Sequence, residues 1–354
     1  MRSMYTYIER TPDLCRKIAE GAADRVAGLV EQFTLRPRTR LLIVASGSSY
    51  NIATAAKPYL QRVLGIEVTV TWPMSYILFD HAQAAGIFVL CMSQSGKSTN
   101  TIEAVRRARE CGHDVAVLTC NGNAPIREVC KHVYEYGSGV EDYYVAKGFP
   151  TSCTFLFEFA IAAARALGTV DGEEAEALHG ELLAAIDASR PLLDASRAFF
   201  DRHMGLFVRA RRIMCVGIGA GYGVALEGAL KLNEMTGIAA NAYEMEEFVH
   251  GPTYEIRKDH VIMLVDLGDV GHERMVQLHD ALAELTDHVY VIDATGAYTG
   301  EQVFELGSPA SGDVDALRAV VPFQVLAEGI CSDLDMLSYN LNNFDFEQKM
   351  KTKA

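Results

Sequence analysis

The sequence has few basic residues and no cysteine pattern, and both shortages exclude common kinds of function. It contains 32 lysines and arginines against 46 aspartates and glutamates, and its net charge of −14 disfavours nucleic-acid binding, which requires basic patches. Its eight cysteines form no CxxC pair and show no spacing typical of metal ligands. We therefore expect no nucleic-acid partner, no metal and no disulfide framework, and this cysteine usage is typical of a reducing cytoplasm.

The sequence also lacks a long apolar run. The N-terminus, MRSMYTYIERTPDLC, has no apolar signal core. The stretch FLFEFAIAAARAL is interrupted by Glu158 and Arg165, and it is shorter than the roughly 20 residues that a membrane-spanning helix needs. We therefore expect no membrane partner and a cytoplasmic location.

The chain does contain a weak internal repeat. The segment VASGSSYNIATAAKPYLQRVLGI, which starts at Val44, is similar to VGIGAGYGVALEGALKLNEMTGI, which starts at Val216. Because 354 residues suit two domains of about 150 residues each, we predict two similar domains. The predicted parts are an N-terminal helical segment at 1–30, a first domain at 31–170, a helical linker at 171–204, a second domain at 205–335, and a tail at 336–354 that is a candidate lid.

The strands of both halves, such as RLLIVAS and HVIMLVDL, are apolar throughout. Continuously apolar strands that alternate with helices are typical of parallel sheets covered on both faces. We predict an α/β fold of two tandem three-layer α/β/α sandwiches with parallel sheets. In such sheets, ligands bind beyond the carboxyl ends of the strands.

One predicted strand end is rich in hydroxyl groups. In CMSQSGKSTNT, Ser93, Ser95 and Ser98 lie between an apolar strand and a helix that begins near Thr99, and we call residues 93–99 the hydroxyl turn. Backbone N–H groups at a helix start attract anions, and nearby hydroxyls can donate to phosphate oxygens. The turn therefore indicates a phosphate site. The alternative is a cluster of helix caps, although one cap needs only one hydroxyl.

A second strand end, ASGSSYN, offers hydroxyls in a similar setting, at Ser46, Ser48 and Ser49. The corresponding segments of the second half, LVDLGDVGHER and GIGAGYG, lack these hydroxyls. We therefore predict an anion site only in the first half. The first of the two segments has carboxylates instead, which would repel phosphate: Asp266, Asp269 and Glu273.

The segment GAGYG resembles a dinucleotide-binding fingerprint, but its glycine spacing does not fit that motif. The acidic end of the next strand, Asp266, also lies far beyond the roughly 20 residues that the fingerprint requires. We therefore do not expect NAD as a cofactor.

The helix predicted at about Tyr222–Thr236 is apolar on nearly every side, but it has Glu227, Lys231 and Glu234 on one face. One interpretation is a solvated Glu–Lys stripe. The following segment, NAYEMEEFVHGPTYEI, places His250 beside a Gly-Pro turn. Because a histidine near a partly buried carboxylate is typical of proton transfer near neutral pH, the second interpretation is a catalytic site.

These segments resemble the sugar isomerase (SIS) domain proteins, which are tandem α/β sandwiches that bind phosphosugars. The resemblance rests on SQSGKSTNT, ASGSSYN, VAKGF and ALEGALKLNEMTGIAANAYEMEEFVHGP. The longest segment is similar both to the isomerase half of glucosamine-6-phosphate synthase and to the fructosamine-6-phosphate deglycases. The resemblance implies a flavodoxin-like strand order, a phosphosugar ligand and a homodimer.

The resemblance also implies a role for each matching residue. Glu234 would transfer a proton between C1 and C2 of the sugar, with Lys231 beside it. His250 would assist ring opening or protonate an oxygen, and in this family it often reaches across a dimer interface. The substrate-binding residues would be Ser48, Ser93, Gln94, Ser95 and Ser98 for the phosphate and nearby hydroxyls, and Ser49 with the backbone of Val145 and Ala146 along the sugar.

The tail departs from the family pattern. In the synthase this segment folds over the sugar and supplies a lysine after an NLA step, whereas this chain has Asn342 and Asn343 in the comparable place. Further lysines follow at Lys349, Lys351 and Lys353. The resemblance therefore implies a C-terminal lid but does not identify the residue in it that contacts the substrate.

Three functions stay open after the sequence has been read. A deglycase would convert a fructosamine 6-phosphate into glucose 6-phosphate and an amine by acid–base chemistry that needs no metal or cofactor. An aldose–ketose isomerase or deaminase of an amino-sugar 6-phosphate would use the same groups. A non-catalytic sugar-phosphate sensor would have no need for Glu234 with His250.

Overall fold

The computed structural model describes residues 3–81, 86–308, 311–336 and 344–354. The chain divides into two compact units. The N-terminal unit contains Asp13–Leu183 with Asn342–Ala354, and the C-terminal unit contains Met1–Pro12 with Ala184–Leu341. Each unit is built around one parallel sheet of five strands.

The sheet of the N-terminal unit confirms the predicted flavodoxin-like order. Its strands are β1 (Arg40–Ala45), β2 (Glu67–Thr71), β3 (Ile87–Met92), β4 (Asp114–Thr119) and β5 (Val133–Glu135). They lie in the order β2-β1-β3-β4-β5, and all neighbours are parallel. In this register Val44 of β1 lies opposite Thr71 of β2 and Cys91 of β3.

Helices cover both faces of this sheet. The helices up to residue 188 are α1 (Met4–Glu20), α2 (Ala22–Arg25), α3 (Ala27–Thr34), α4 (Ser48–Leu64), α5 (Pro73–Ser75), α6 (Thr99–Glu110), α7 (Gly148–Leu167) and α8 (Gly172–Ala188), with a π-helix at Tyr76–Asp80 and a 3₁₀ turn at Pro125–Glu128. The first part of α1, up to Pro12, and the end of α8, from Ala184, belong to the C-terminal unit. Residues that alternate along a strand point to opposite faces, so an apolar strand needs cover on both sides. On one face, Val89 and Val117 pack against Ile102 and Val105 of α6.

The C-terminal unit repeats this architecture. Its strands are β6 (Arg212–Gly217), β7 (Ala239–Glu244), β8 (His260–Asp266), β9 (Val289–Asp293) and β10 (Val303–Glu305), in the order β7-β6-β8-β9-β10. Its helices are α9 (Leu192–Phe207), α10 (Gly219–Thr236), α11 (Met245–Val249), α12 (His272–Ala283) and α13 (Ala316–Asp333), with 3₁₀ turns at Pro252–Glu255 and Gly312–Asp315. The tail forms α14 (Phe344–Met350) in the N-terminal unit. The two sandwiches confirm the predicted fold class.

The internal repeat extends to backbone conformation. Gly47 and Gly219 stand at the same point of the two halves, where the first strand turns into its helix, and their φ angles are 55° and 53°. Gly96 follows β3 and Gly268 follows the corresponding strand, β8, and their φ angles are 65° and 74°. Only glycine adopts positive φ without a steric penalty, which explains why both halves have glycine at these two turns.

The apolar stretch around Glu158 forms the buried helix α7. Phe149, Phe155 and Phe159 of this helix have no solvent-exposed surface. Within the residues that the structure describes, no helix combines the length and the apolarity needed to cross a bilayer. The stretch is therefore part of the core of the N-terminal unit.

The cysteines behave as small apolar residues, as the sequence predicted. All eight are free, and all except Cys111 are buried. Burial raises the pKa of the Cys91 and Cys215 thiols, because a thiolate in an apolar strand would lose its hydration. Both side chains therefore stay protonated within their sheets.

Candidate functional site

The hydroxyl turn lies at the topological switch point of the N-terminal sheet. Strand β1 is flanked by β2 on one side and β3 on the other, so the loops that leave β1 and β3 face the crevice at this point. The β3 loop is the hydroxyl turn, and the β1 loop contains Ser46, Ser48 and Ser49. Asn100 of α6 joins the two loops, because its side-chain amide donates to the Ser46 hydroxyl at 3.1 Å.

The hydroxyls of the turn are held in place but are not used as helix caps. Ser98 is the N-cap residue of α6, yet its side chain makes no capping hydrogen bond. The Ser93 hydroxyl donates to that of Ser98 at 3.2 Å, and Ser93 is only 3% exposed. The Ser95 hydroxyl accepts from the backbone N–H of Lys97 at 3.3 Å. The capping interpretation therefore does not account for Ser98, and the phosphate interpretation stays open for all three serines.

The β1 loop presents its serines at the start of another helix. The N-cap residue of α4 is Gly47, which has no side chain for capping. Ser48 occupies the first helical position. Ser49 follows it and is buried. Two helix starts with hydroxyls thus open at the same edge of one sheet, which is the arrangement that concentrates N–H donors for an anion.

The end of the chain lies against the hydroxyl turn. The backbone N–H of Thr99 donates to the carbonyl oxygen of Thr352 at 3.1 Å, and the Thr99 hydroxyl donates to the carbonyl oxygen of Lys351 at 2.8 Å. The N–H of Ala354 donates to the carbonyl oxygen of Lys97 at 2.8 Å. One N–H donor of the α6 start is therefore already paired with the tail. Asn342 and Asn343 lie outside the described residues.

The third part of the predicted binding region is a strained loop before α7. Tyr144 and Val145 have φ angles of 47° and 61°, which L-residues rarely adopt and which are unusual for a β-branched side chain. Backbone strain of this kind persists only where the surroundings enforce it, and it is concentrated at functional sites. One of the two strained residues, Val145, therefore belongs to the segment Val145–Ala146, whose backbone the family resemblance assigns to the sugar.

Asp142 holds this loop in its strained conformation, a role that the sequence did not indicate. Its Oδ1 accepts from the backbone N–H groups of Tyr143 at 2.8 Å and Lys147 at 3.1 Å. Its Oδ2 accepts from the N–H of Gly148 at 2.9 Å and from the side-chain amide of Gln94 at 3.1 Å. Burial raises the pKa of Asp142, while the N–H donors of the loop oppose that increase. A single carboxylate thus connects the hydroxyl turn to the strained loop.

In the C-terminal unit, the charged face of α10 is buried rather than solvated. Glu227 and Lys231 have no exposed surface, whereas the side chain of Glu234 is 40% exposed. The Lys231 ammonium lies 3.4 Å from a Glu227 oxygen and 2.6 Å from a Glu234 oxygen. The interpretation as a solvated stripe is therefore wrong for Glu227 and Lys231. The shape of α10 as a helix apolar on nearly every side is confirmed, although it begins at Gly219 rather than Tyr222.

The two carboxylates determine the charge of Lys231. Burial lowers its pKa, but the negative charges of Glu227 and Glu234 outweigh burial, and the pKa ends above its ordinary value. Lys231 therefore stays protonated and acts as a cation beside Glu234. The buried ammonium thus lies 2.6 Å from the partly exposed carboxylate of Glu234 and orients it.

His250 lies at the end of the short helix α11 and is exposed. Glu244 caps the start of this helix, because one of its oxygens accepts from the N–H groups of Glu246 and Glu247. Among the residues that the structure describes, His250 makes no hydrogen bond or ion pair with Glu234. Its catalytic role and its reach into a neighbouring subunit stay predictions.

The loop of the C-terminal unit that corresponds to the hydroxyl turn contains carboxylates instead of hydroxyls. Asp266 is buried, and one of its oxygens lies 2.7 Å from Nδ1 of His272 and accepts from the Tyr298 hydroxyl at 2.6 Å. Its other oxygen accepts from the N–H of Gly268 at 3.0 Å. The loop uses its donors internally and presents carboxylates, so it is unsuited to an anion.

The N-terminal unit also contains a cavity of 690 Å³ among α1, α2, α7 and α8. Glu158, only 4% exposed, lines it, and its carboxylate lies 2.7 Å from Nδ1 of His179. Burial raises the pKa of Glu158, and His179 lowers it by a smaller amount. Glu20, Arg165 and Glu176 also line the cavity, which is separate from the loops at the switch point.

Comparisons with known proteins agree with this architecture. A family model described as the SIS domain matches residues 34–161 and 206–295. The glutamine–fructose-6-phosphate aminotransferase [isomerizing] of Bordetella parapertussis is 36% identical over 219 residues, which cover 60% of this chain and 35% of that protein. The enzyme of the same name from Pseudomonas aeruginosa is 28% identical over 345 residues, which cover 92% of this chain and 55% of that protein.

The chain therefore spans about a third to about half of the length of these curated relatives. Among solved structures, a candidate phosphosugar isomerase from Clostridium difficile 630 superposes with a TM-score of 0.89 at 25% identity. That superposition covers 100% of this chain and 99% of the other. The likeness thus includes both sandwiches and extends over the whole chain.

Proposed function

This chain belongs to the SIS domain family, and we propose that it is an enzyme that removes the amine from a fructosamine 6-phosphate. The hydroxyl turn binds the phosphate, and Glu234 transfers a proton between two carbons of the open-chain sugar. No metal or cofactor is required for this chemistry. The proposal names a substrate class and leaves the identity of the amine open.

The observation that supports the proposal most is the combination of serines at the switch point of the N-terminal sheet. Ser93, Ser95 and Ser98 lie beside the α6 start, and the cap position does not use its hydroxyl for capping. Ser48 and Ser49 lie at the start of α4, next to the same crevice. Hydroxyls and helix N-termini in this number suit a phosphate dianion, which accepts hydrogen bonds and donates none.

The proposed reaction is a 1,2-proton transfer followed by hydrolysis. In the open-chain substrate the C2 carbonyl acidifies C1, which bears the amine. Glu234 takes the C1 proton, its electron pair forms a C1–C2 double bond, and the carbonyl pair moves to the C2 oxygen, which takes up a proton. The nitrogen lone pair then forms the C1–N double bond as a proton returns to C2, and loss of the N–H proton leaves a C1 aldimine. Water then adds to the aldimine and releases glucose 6-phosphate and the free amine. A positioned acid–base group of this kind contributes roughly 10²–10⁴ in rate.

The buried cluster on α10 suits this role. Glu234 is the most exposed of the three charged residues, while Lys231 beside it is buried and held protonated. A protonated lysine at 2.6 Å orients Glu234 and can stabilise the negative charge that develops on the sugar oxygen during proton transfer. His250 is the proposed group for ring opening, and a homodimer in which it serves the neighbouring subunit is part of the proposal.

A second candidate function is isomerisation or deamination of an amino-sugar 6-phosphate. It is favoured by the two curated relatives, whose names include the word isomerizing. The chemistry would stop at proton transfer, or would release ammonia rather than an amino acid. The third candidate, a sugar-phosphate sensor, gives no reason for the buried ion cluster around Glu234.

The deciding experiment supplies the protein with a panel of fructosamine 6-phosphates, fructose 6-phosphate and glucosamine 6-phosphate. Glucose 6-phosphate is measured by a coupled assay, and free amine and ammonia are measured separately. Release of an amine with glucose 6-phosphate supports the deglycase. Interconversion of sugar phosphates, or release of ammonia, supports the second candidate, and binding without turnover supports the sensor. A protein that binds none of these compounds contradicts all three.

A further inference from the structure

Asp142 uses all of its hydrogen-bonding capacity on two segments that the proposed function assigns to the substrate. An ionised carboxylate offers about four acceptor positions. Those of Asp142 are taken by the N–H groups of Tyr143, Lys147 and Gly148 and by the side-chain amide of Gln94. A carboxylate with four donors is fixed in place and is unsuited to carrying protons. Its role must therefore lie in what it holds.

The first group that Asp142 holds is the amide of Gln94. Because an ionised carboxylate only accepts, the Nε2 end of the amide must face it, and the Oε1 end then points elsewhere. The Gln94 backbone is fixed as well, since its carbonyl oxygen accepts from the Thr119 hydroxyl and the Cys120 N–H, each at 3.0 Å. Within the described parts of the chain, Oε1 has no hydrogen-bond partner. Gln94 therefore presents a hydrogen-bond acceptor within the hydroxyl turn, next to the serines.

The polarity of this amide decides which part of a sugar phosphate it can bind. A phosphate dianion has no proton to donate, so a glutamine oxygen cannot hold it. A sugar hydroxyl can donate to the same oxygen. Of the residues that the sequence assigned jointly to the phosphate and nearby hydroxyls, the side chain of Gln94 is thus suited to the hydroxyls.

The second group that Asp142 holds is the strained loop. Two neighbouring non-glycine residues at positive φ are strained, and the hydrogen bonds from Tyr143 and Lys147, on either side of them, to Asp142 hold the loop in this conformation. The packing leaves no room for adjustment, because a Cβ at Gly148 would lie 2.6 Å from Cγ1 of Val145 and 2.9 Å from Nε2 of Gln94. Loop, amide and carboxylate therefore form one close-packed group.

We infer that Asp142 is a positioning residue for the sugar part of the substrate. It fixes Gln94 as the acceptor for a sugar hydroxyl and holds the Val145–Ala146 backbone in its strained form, while the serines of the hydroxyl turn bind the phosphate independently of it. This inference rests on the proposed function, since it divides the binding of one ligand between two sets of residues. The division is what the experiment measures.

The test compares the binding of fructose 6-phosphate and inorganic phosphate by calorimetry, in the wild type and in Asp142→Asn. Asparagine keeps the size of the side chain but replaces one acceptor by a donor, which opposes either the N–H groups of Tyr143 and Lys147 or those of Gly148 and Gln94. We expect fructose 6-phosphate to bind at least about tenfold more weakly, since a hydrogen bond to a charged group is lost, while phosphate binding changes by less than about twofold. In turnover, KM should rise and kcat should change little.

Two further variants keep the test sharp. Gln94→Ala removes the proposed acceptor but leaves the bonds between Asp142 and the backbone, and it should weaken fructose 6-phosphate selectively even where Asp142→Asn does not fold. Asp114→Asn is the matched control, because Asp114 pairs with Arg38 at the opposite end of the sheet and should leave both ligands unaffected.

Each result either supports or overturns the inference. Equal losses for phosphate and fructose 6-phosphate in Asp142→Asn or Gln94→Ala would show a general structural role, and unchanged binding of both would show no role; either result overturns it. If the wild type binds phosphate but neither fructose 6-phosphate nor a fructosamine 6-phosphate, the proposed function itself fails and the inference fails with it. A selective loss of fructose 6-phosphate supports the inference, whichever sugar-phosphate reaction the enzyme performs.

Discussion

The ammonium of Lys231 lies 2.6 Å from a carboxylate oxygen of Glu234, and the lysine is fully buried while the glutamate is partly exposed. Glu227, also fully buried, approaches the same ammonium at 3.4 Å. The cluster therefore compensates the buried cation with one buried carboxylate and leaves the second carboxylate facing outward. A base with this surrounding is oriented and accessible, which are two properties that proton abstraction needs.

The first prediction concerns Glu234→Gln. Glutamine keeps the shape and can still accept from Lys231, but it cannot take a proton from carbon. We expect fructose 6-phosphate to bind within about twofold of the wild type, while turnover falls by about 10²–10⁴. Binding is measured by calorimetry and turnover by release of glucose 6-phosphate. Glu246→Gln, which changes a carboxylate elsewhere in the same unit, is the control; normal turnover of Glu234→Gln would show that the base lies elsewhere.

The second prediction concerns the double variant Ser93→Ala with Ser95→Ala. Loss of two hydroxyl donors should weaken phosphorylated ligands by at least about tenfold, because hydrogen bonds to charged groups are worth about 1.5–3 kcal/mol each. The already weak binding of unphosphorylated fructose should not change. Thr69→Ala removes a hydroxyl from β2 and is the control. Equal losses for fructose and fructose 6-phosphate would contradict the phosphate role.

The third prediction concerns deletion of residues 351–354. The tail accepts from the N–H and the hydroxyl of Thr99, so its removal frees donors at the α6 start. We expect inorganic phosphate to bind several-fold more tightly, since one hydrogen bond is worth about 0.5–1.5 kcal/mol net. Calorimetry with inorganic phosphate measures the change.

The deletion also removes two positive charges, and a matched variant separates this effect. Lys351→Ala with Lys353→Ala keeps the backbone carbonyls of the tail and should not tighten phosphate binding. If the truncated protein binds phosphate more weakly than this variant does, the tail contributes to binding instead of competing with it, and the prediction is wrong.

The fourth prediction concerns the proposed homodimer and His250. If His250 serves the site of the neighbouring subunit, two inactive variants can complement each other. Equal amounts of Glu234→Gln and His250→Ala are mixed and allowed to exchange subunits. About half of the dimers are then heterodimers, and each heterodimer contains one intact site of two, so about a quarter of wild-type activity should return. Activity is compared with that of each variant alone. No recovery in a mixture shown to contain heterodimers would place His250 in the site of its own subunit or outside any site.

The fifth prediction concerns the pH dependence of stability. The pKa of Glu158 is raised by burial, so with rising pH the carboxyl ionises in the unfolded chain before it ionises in the folded one. Over that interval the folded state binds more protons, and the free energy of unfolding falls as pH rises. Glu158→Gln lacks this titration, so its stability relative to the wild type should increase as pH rises above about 4.3, the ordinary glutamate value.

Urea unfolding of both proteins between about pH 4 and pH 8 checks this sign. Glu176→Gln, which changes an exposed carboxylate of the same cavity, should show no such trend. Glu20 and Arg165 face the cavity in every variant, so their own effects cancel in the comparison, whereas His179 loses its Glu158 partner in Glu158→Gln. A difference in stability that is independent of pH would contradict the role assigned to burial.

Local patterns in the sequence were sufficient for the architecture. Apolar strands between helices, and glycines at the turns, predict the two parallel sheets, because these features depend on residues close together in the chain. The hydroxyl turn was found for the same reason, since its three serines lie within one segment. The strand order came from the resemblance to a family and is confirmed by the structure.

Contacts between distant residues could not be predicted. Gln94 and Asp142 are 48 positions apart, and Thr99 and Lys351 are 252 apart, so no pattern in the chain connects them. Asp142 stands in a polar loop where an acidic residue is ordinary. The burial of Lys231 was missed because the spacing of charges along a helix shows which residues share a face but not whether that face meets solvent.

The paired glycines of the two units carry an implication for engineering. Gly219 and Gly268 already bend the C-terminal chain at the two points where Gly47 and Gly96 bend the N-terminal one. Both units therefore have the two glycine turns, although only the N-terminal unit has the hydroxyl side chains around them. Exchanging the side chains of these two loops, with Gly219 and Gly268 retained, is therefore the natural first step in building a second oxyanion receptor in the C-terminal unit.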